Sequence, residues 1–163
     1  MLTPSLPKLN FPHYDFRIQE EEDHKYRIFD LIRRRWIILT PEEWVRQNMV
    51  RFMVDYLHIP QGRLANEVSL SVGGRRLRCD SLVYSAKKHP LLLLETKAPN
   101  IKLSQEVIDQ VSVYLTAFEV PYFLISNGYQ HRLFGVKADR KGYTLLTSWI
   151  SYSQMLENSQ IDQ

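Results

Sequence analysis

The sequence predicts one α/β domain, a central mixed β-sheet flanked by helices (an α+β sandwich), with core elements in the order αβββαβ. Three observations carry this. Apolar residues recur at helical spacing from Val45 to Leu57. Three strand-like segments follow, separated by Gly73-Gly74 and by a turn at residues 87–90. A second helical pattern then leads into another apolar strand. The length of 163 residues suits a single hydrophobic core. The expected boundaries are an extended arm at 1–25, the domain at 26–158 and a polar tail at 159–163.

The arm opens with Pro4, Pro7 and Pro12 and closes with the acidic cluster Glu20-Glu21-Glu22-Asp23, a solvated turn or linker. Residues 26–39 read as two short strands, or a strand and a turn, around Arg33-Arg34-Arg35. Thr40 then caps a helix, with Pro41 at its first position and Glu43 three residues after the cap. Its core face is Val45, Met49, Phe52, Met53, Tyr56 and Leu57. His58-Ile59-Pro60 ends it, because the residue before a proline avoids helical geometry.

Residues 64–72 form a strand with Val68, Leu70 and Val72 on one face. Gly73-Gly74 turns the chain into a second strand at 75–85. The third, at 91–98, begins Leu91-Leu92-Leu93-Leu94, a run that predicts burial on both faces. Ser104 caps a helix to Phe118 whose core side is Val107, Ile108, Val111, Leu115 and Phe118. Residues 121–126 are a strand, Asn127-Gly128 a turn, and 130–136 its hairpin partner. A short helix over 151–157 closes the pattern.

Composition is that of an ordinary globular protein, 44% apolar and 24% charged. A net charge of +3 permits a polyanionic partner without demanding one. The single cysteine, Cys79, excludes an intramolecular disulfide and a Cys-based zinc site, which fits a reducing cytoplasm. No run approaches the ~18 apolar residues of a membrane span.

Chemistry concentrates at the end of the three-strand block. Residues two apart on a strand share a face, so Glu95 and Lys97 point together and Thr96 points away. Antiparallel pairing around the 87–90 turn brings Asp80 level with Glu95. A salt bridge at a strand end explains Glu-x-Lys alone. Two convergent carboxylates beside it repel unless a cation sits between them. Hard oxygen ligands select Mg²⁺ or Mn²⁺. Such an ion activates water and stabilises a phosphodiester in flight, with Lys97 orienting the water or neutralising the phosphoryl oxygens. Glu43 is open to two readings, a third carboxylate or the acidic member of a capping box. Gln110 and Tyr114 share a helix face that can touch DNA or the carboxylates, or form a polar edge. Arg76 and Arg78 alternate onto the Asp80 face; Lys87, Lys88, Lys102 and the arginine run at 33–35 add charge. Tyr129 and Tyr143 sit in expected turns where they can stack on bases.

The ordered set of Glu43, Asp80, Glu95-Thr96-Lys97 and Gln110 to Tyr114 resembles the PD-(D/E)XK nuclease superfamily. It is similar in particular to the N-terminal nuclease domain of type I restriction enzyme R subunits, including short bacterial proteins built from that domain alone. The stretches 40–47, which contains Gln47, and 94–99 carry most of the likeness, which covers about 40–134. The resemblance implies a restriction-endonuclease-like core that hydrolyses DNA with Mg²⁺ or Mn²⁺. It implies metal ligation by Asp80, Glu95 and the Thr96 backbone carbonyl, with Glu43 auxiliary and Lys97 as the catalytic lysine. Gln110, Tyr114, Gln47, Arg76 and Arg78 become accessory or DNA-binding positions. A motor or specificity subunit is an implied partner. The alternative is a catalytically silent nucleic-acid-binding or interaction module of the same fold. Two departures stand out. Cys79 replaces the motif's proline, and there is no Gly-x-x-x-x-Gly-Lys-Ser/Thr phosphate loop for an ATP-driven motor.

Overall fold

A computed structural model describes residues 4–162. The expected order of core elements is present, with additions at both ends. Strands β1 (Ile18–Glu20), β2 (Tyr26–Asp30) and β3 (Arg35–Ile38) form an antiparallel sheet of their own. Helix α1 runs Pro41–Asp55. Strands β4 (Leu64–Val72), β5 (Arg75–Tyr84) and β6 (Pro90–Thr96) follow, then helix α2 (Gln105–Phe118). Strands β7 (Tyr122–Ser126), β8 (His131–Val136) and β9 (Tyr143–Leu145) complete a six-stranded mixed sheet in sequential order, and helix α3 spans Tyr152–Ser159. Only β6 and β7 pair in parallel among the described strands. A parallel pair needs a crossover, and α2 supplies it.

The leucine run has the predicted double burial. Leu92 and Leu94 face α1 with Met49, Met53 and Leu124, whereas Leu93 faces α2 with Phe123, Ile125 and Val111. Each such side chain contributes about 1.5–3 kcal/mol on burial. The predicted helix faces are buried except at Tyr56, which stacks on Phe52 but stays exposed, and on α1 burial extends beyond that face to Arg46, Gln47, Asn48 and Val50. Strand β9 was unexpected. It places Tyr143 edge-on against Phe123 and Phe134 rather than in a turn free to stack on bases. Tyr129 does lie exposed beside the Asn127-Gly128 turn.

The arm is packed rather than free. Leu9 is buried against Gly128, and Pro7 accepts a hydrogen bond from Trp44 Nε1 at 3.0 Å. Its far end adds β1 to β2, so the expected linker is partly a strand. The tail is pinned as well: Asp162 accepts from Ser85 Oγ at 2.8 Å and from the Lys87 backbone at 3.1 Å. Residues 1–3 and 163 of these two segments lie outside the described residues. No helix among them is long and apolar enough to cross a membrane.

Where the sheet approaches the predicted chemistry, β4 and β5 change face. Asn66 and Ser81 are paired and turn toward the N-terminal sheet, where Asn66 reaches Asp30. Two residues further out, Val68 and Cys79 are paired and turn toward α2. Regular alternation would keep each of these pairs of neighbours on one side. The break falls on Glu67 and Asp80. Glu67 has φ +54°, a left-handed conformation that costs of order 1 kcal/mol or more for a residue other than glycine. Beyond this point β5 has left β6, whose ladder with it begins at Ser81 and Leu94.

Candidate active site

Asp80 and Glu95 come from neighbouring strands and stand level, one step past the Ser81–Leu94 pair. Asp80 reaches sideways across the strand end. Its Oδ2 accepts from the Thr96 backbone N–H at 2.5 Å and the Thr96 hydroxyl at 2.8 Å, and its Oδ1 accepts from Arg46 Nη2 at 2.7 Å. In a strand, a residue's N–H and C=O point to the same edge. The Thr96 carbonyl therefore faces the Asp80 edge, while the next N–H, of Lys97, turns to Ser126 on β7.

Glu95 and Lys97 do share a face: Lys97 Nζ donates to Glu95 Oε1 at 3.2 Å. The other oxygen, Glu95 Oε2, is buried and accepts no hydrogen bond. Burial first, and then repulsion from Asp80, pushes the Glu95 carboxyl up to about 7, against an opposing pull from Lys97. Burial tends to lower the Lys97 ammonium, but Glu95 more than offsets it, so its pKa is raised and the group stays charged. Tyr114 borders the group; burial and the Glu95 charge raise its phenol.

Glu43 turns away from this patch. Thr40 Oγ1 caps the Glu43 N–H at 3.0 Å, but the Glu43 carboxylate does not return to the cap, so only half of the capping box forms. Instead it accepts from Gln47 Nε2 at 2.8 Å and Arg33 Nη2 at 3.3 Å. It is part of a buried ion network. Arg33 also pairs with Asp30, while Arg33 and Arg46 both pair with Glu67. Arg46 Nη1 stands 3.0 Å from Glu43 Oε2, an ionic contact without hydrogen-bond alignment. Charges alternate from Asp30 through Arg33, Glu43 or Glu67, and Arg46 to Asp80. Burial tends to raise Asp30, but hydrogen bonds from Arg33 and Asn66 outweigh it and hold it below the ordinary range.

The placement changes two expectations, those for Gln47 and Arg33. Gln47, grouped with DNA-binding positions, is 5% exposed and holds Glu43. Arg33, counted as surface charge, is consumed by the network. Gln110 is exposed on α2, four residues from Tyr114, with no contact to the carboxylates. Arg76 and Arg78 are exposed on the Asp80 face. Three participants were missed. Glu42, not Glu43, shares its field with Asp80 and Lys97; burial and then Asp80 raise its carboxyl. Arg46 and Glu67 were unremarkable in the sequence. Position 46 lies one residue from Val45 on an amphipathic helix, and no signal marks it as buried. Glu42 carries the only usable hint, as the acidic neighbour of Glu43.

No three acidic, histidine or cysteine side chains converge to hold a metal ion among the described residues. The patch offers two carboxylates, one free oxygen between them, an edge carbonyl and an ammonium.

The family model described as type I restriction enzyme R protein N terminus matches residues 41–148. No curated protein matches the chain. Among solved structures, a fragment described as an HsdR subunit of a type I restriction enzyme from Vibrio vulnificus YJ016 is similar at 14% identity. It aligns with 70% of this chain and 25% of its own, with a TM-score of 0.49. A DrdV–DNA complex solved by electron cryo-microscopy is 14% identical over 76% of this chain and 12% of its own, with a TM-score of 0.44. The chain thus spans about a quarter or less of the length of these relatives.

Two outcomes follow from the electrostatics. Arg46→Met leaves Asp80, Glu43 and Glu67 without their shared cation and costs about 3–5 kcal/mol in urea unfolding; a loss under about 1 kcal/mol contradicts the network. A carboxyl with a raised folded pKa binds its proton more tightly when folded. Its stabilisation is complete below the ordinary value of 4.5 and disappears as pH rises to about 7. The stability difference between wild type and Glu95→Gln therefore declines across that window, and a flat difference contradicts the burial of Glu95.

Proposed function

Since the chain belongs to the family of type I restriction enzyme R protein N termini, we propose that it is a metal-dependent nuclease that hydrolyses DNA phosphodiester bonds at Asp80, Glu95 and Lys97. One observation carries the reading. Glu95 keeps a buried oxygen without a partner, next to a second carboxylate and an ammonium. A buried polar atom left unpaired is costly and calls for a ligand.

The donors suit Mg²⁺ or Mn²⁺. Mg²⁺ is commonly held by one or two carboxylates together with water and substrate phosphate, so three converging acidic side chains are not required. Asp80, Glu95 and the Thr96 carbonyl would hold it, with Glu42 in the auxiliary place first assigned to Glu43. Such an ion, when bound there, would supply a nucleophilic water near neutral pH and a counter-charge for the phosphate. The chain's own residues do the rest. Thr96 fixes one oxygen of Asp80 through two hydrogen bonds, so that carboxylate is positioned in advance. Lys97, charged and held by Glu95, neutralises the phosphoryl oxygens as negative charge builds on them. Being protonated, it serves as that counter-charge rather than as a base. Arg76 and Arg78 hold the DNA backbone, and Tyr114 lines the approach from α2. A motor or specificity subunit is a partner consistent with the family.

A specific observation favours a second reading, a nucleic-acid-binding or interaction module without turnover. Both Asp80 oxygens already accept hydrogen bonds from the protein, one of them from Arg46. Cleavage of supercoiled, linear and single-stranded DNA with Mg²⁺ or Mn²⁺ separates the two. The nuclease cuts at least one of them, and Lys97→Ala lowers the rate by about 100-fold or more. DNA binding without cleavage by the wild type selects the second reading instead.

A further inference from the structure

Past the face change at Glu67 and Asp80, β4 and β5 continue as a two-stranded ribbon without β6. Residues 68–72 pair with 75–79, an extension of about 17 Å. Its tip is Gly73-Gly74, with φ +55° and +76° and open space around both Cβ positions. The two faces differ. Ser69 lies opposite Arg78 and Ser71 opposite Arg76, giving a polar, basic face that runs directly into Asp80. The reverse face carries Leu70 and Val72, both exposed, with Leu77 and Arg75 opposite them.

Residues 68–79 contain three arginines and no acidic residue. Within the described residues, none of Arg75, Arg76 and Arg78 is engaged in an ion pair; Arg76 has only a 3.5 Å contact to Ser69 Oγ. Arg78 stands in the field of Glu42 and Glu67 at the root of the ribbon, and Arg75 and Arg76 carry positive charge out toward its tip. A basic ribbon that leads to a phosphodiester-cleaving centre calls for a polyanion. The ribbon also contains no aromatic residue, so it lacks the stacking platforms with which proteins bind single strands. Its cross-section is what the major groove of B-form DNA admits. The deep, narrow major groove of A-form RNA does not admit it.

We propose that the β4–β5 ribbon is a docking arm for B-form duplex DNA. It enters the major groove, with Ser69, Ser71, Arg76 and Arg78 on the phosphates that lead to Asp80. This rests on the nuclease reading and adds to it the surface that selects the form of the substrate.

Binding to a labelled duplex, to one of its strands and to the matching RNA duplex is measured by fluorescence anisotropy across a salt series. Divalent ions are omitted so that nothing is cut. The wild type is compared with Arg76→Ser/Arg78→Ser and with Leu70→Ser/Val72→Ser on the opposite face; melting curves confirm folding. The arm predicts preference for the DNA duplex. In the double arginine variant, duplex affinity falls by roughly 50-fold at 0.1 M salt and the log–log salt slope by about 2. The single Arg76→Ser change gives about half of that slope change, and the Leu70/Val72 variant binds like wild type. An unchanged slope in the arginine variants, or equal binding of all three nucleic acids, overturns the arm. If cleavage persists while the slope is unchanged, the arm alone is wrong. If the wild type neither binds nor cuts DNA, the nuclease reading falls and the arm with it.

Discussion

The contact between Arg46 and Asp80 is the constraint around which the molecule is arranged. A guanidinium buried inside a small domain is sustained only by matched carboxylates. Arg46 meets three, from three different elements: Glu43 on its own helix, Glu67 on β4 and Asp80 on β5. Satisfying it requires both strands to turn those side chains toward α1. That is the reason for the left-handed backbone at Glu67, where the strands otherwise alternate regularly. Arg33 repeats the device one layer out and ties the three-stranded sheet to the same group. The cost of the strained residue and of several buried charges is offset only collectively, so the site is a cooperative unit rather than three independent residues.

This arrangement explains which parts of the molecule were legible in the sequence. The leucine run, the Gly-Gly hairpin and the face of α2 follow from one-dimensional periodicity, and the structure has them. The pairing of Glu95 with Lys97 follows from the two-residue repeat of a strand. The face change at Glu67 does not, because a non-glycine residue in the left-handed region leaves no compositional mark. The choice between Glu42 and Glu43 turned on the helix's rotation. The half-formed cap releases the Glu43 carboxylate, and Arg33 and Arg46 draw it toward the network. Strands β1 and β9 have three residues each and are stabilised by long-range pairing, which short windows cannot register.

In the proposed function, the fold separates two tasks. The end of the sheet, with Thr96 buried and Asp80 hydrogen-bonded to it, would hold the chemical groups. The ribbon beyond it is exposed and basic, and would carry that charge to the DNA. The same residue pair, Glu67 and Asp80, marks the boundary. Membership in the R-protein N-terminal family identifies a nuclease-like domain. In the proposed account, Arg46 neutralises Asp80 when no other cation does, and Glu95 keeps an oxygen open for one.

That account is tested most directly by calorimetric titration of the protein with Mn²⁺, beside Asp80→Asn and Glu95→Gln. It predicts saturable binding to the wild type that is lost or greatly weakened in both variants, without loss of their fold. Equal heats from all three proteins, or no binding to the wild type, would contradict it and leave the buried carboxylates as a structural ion network.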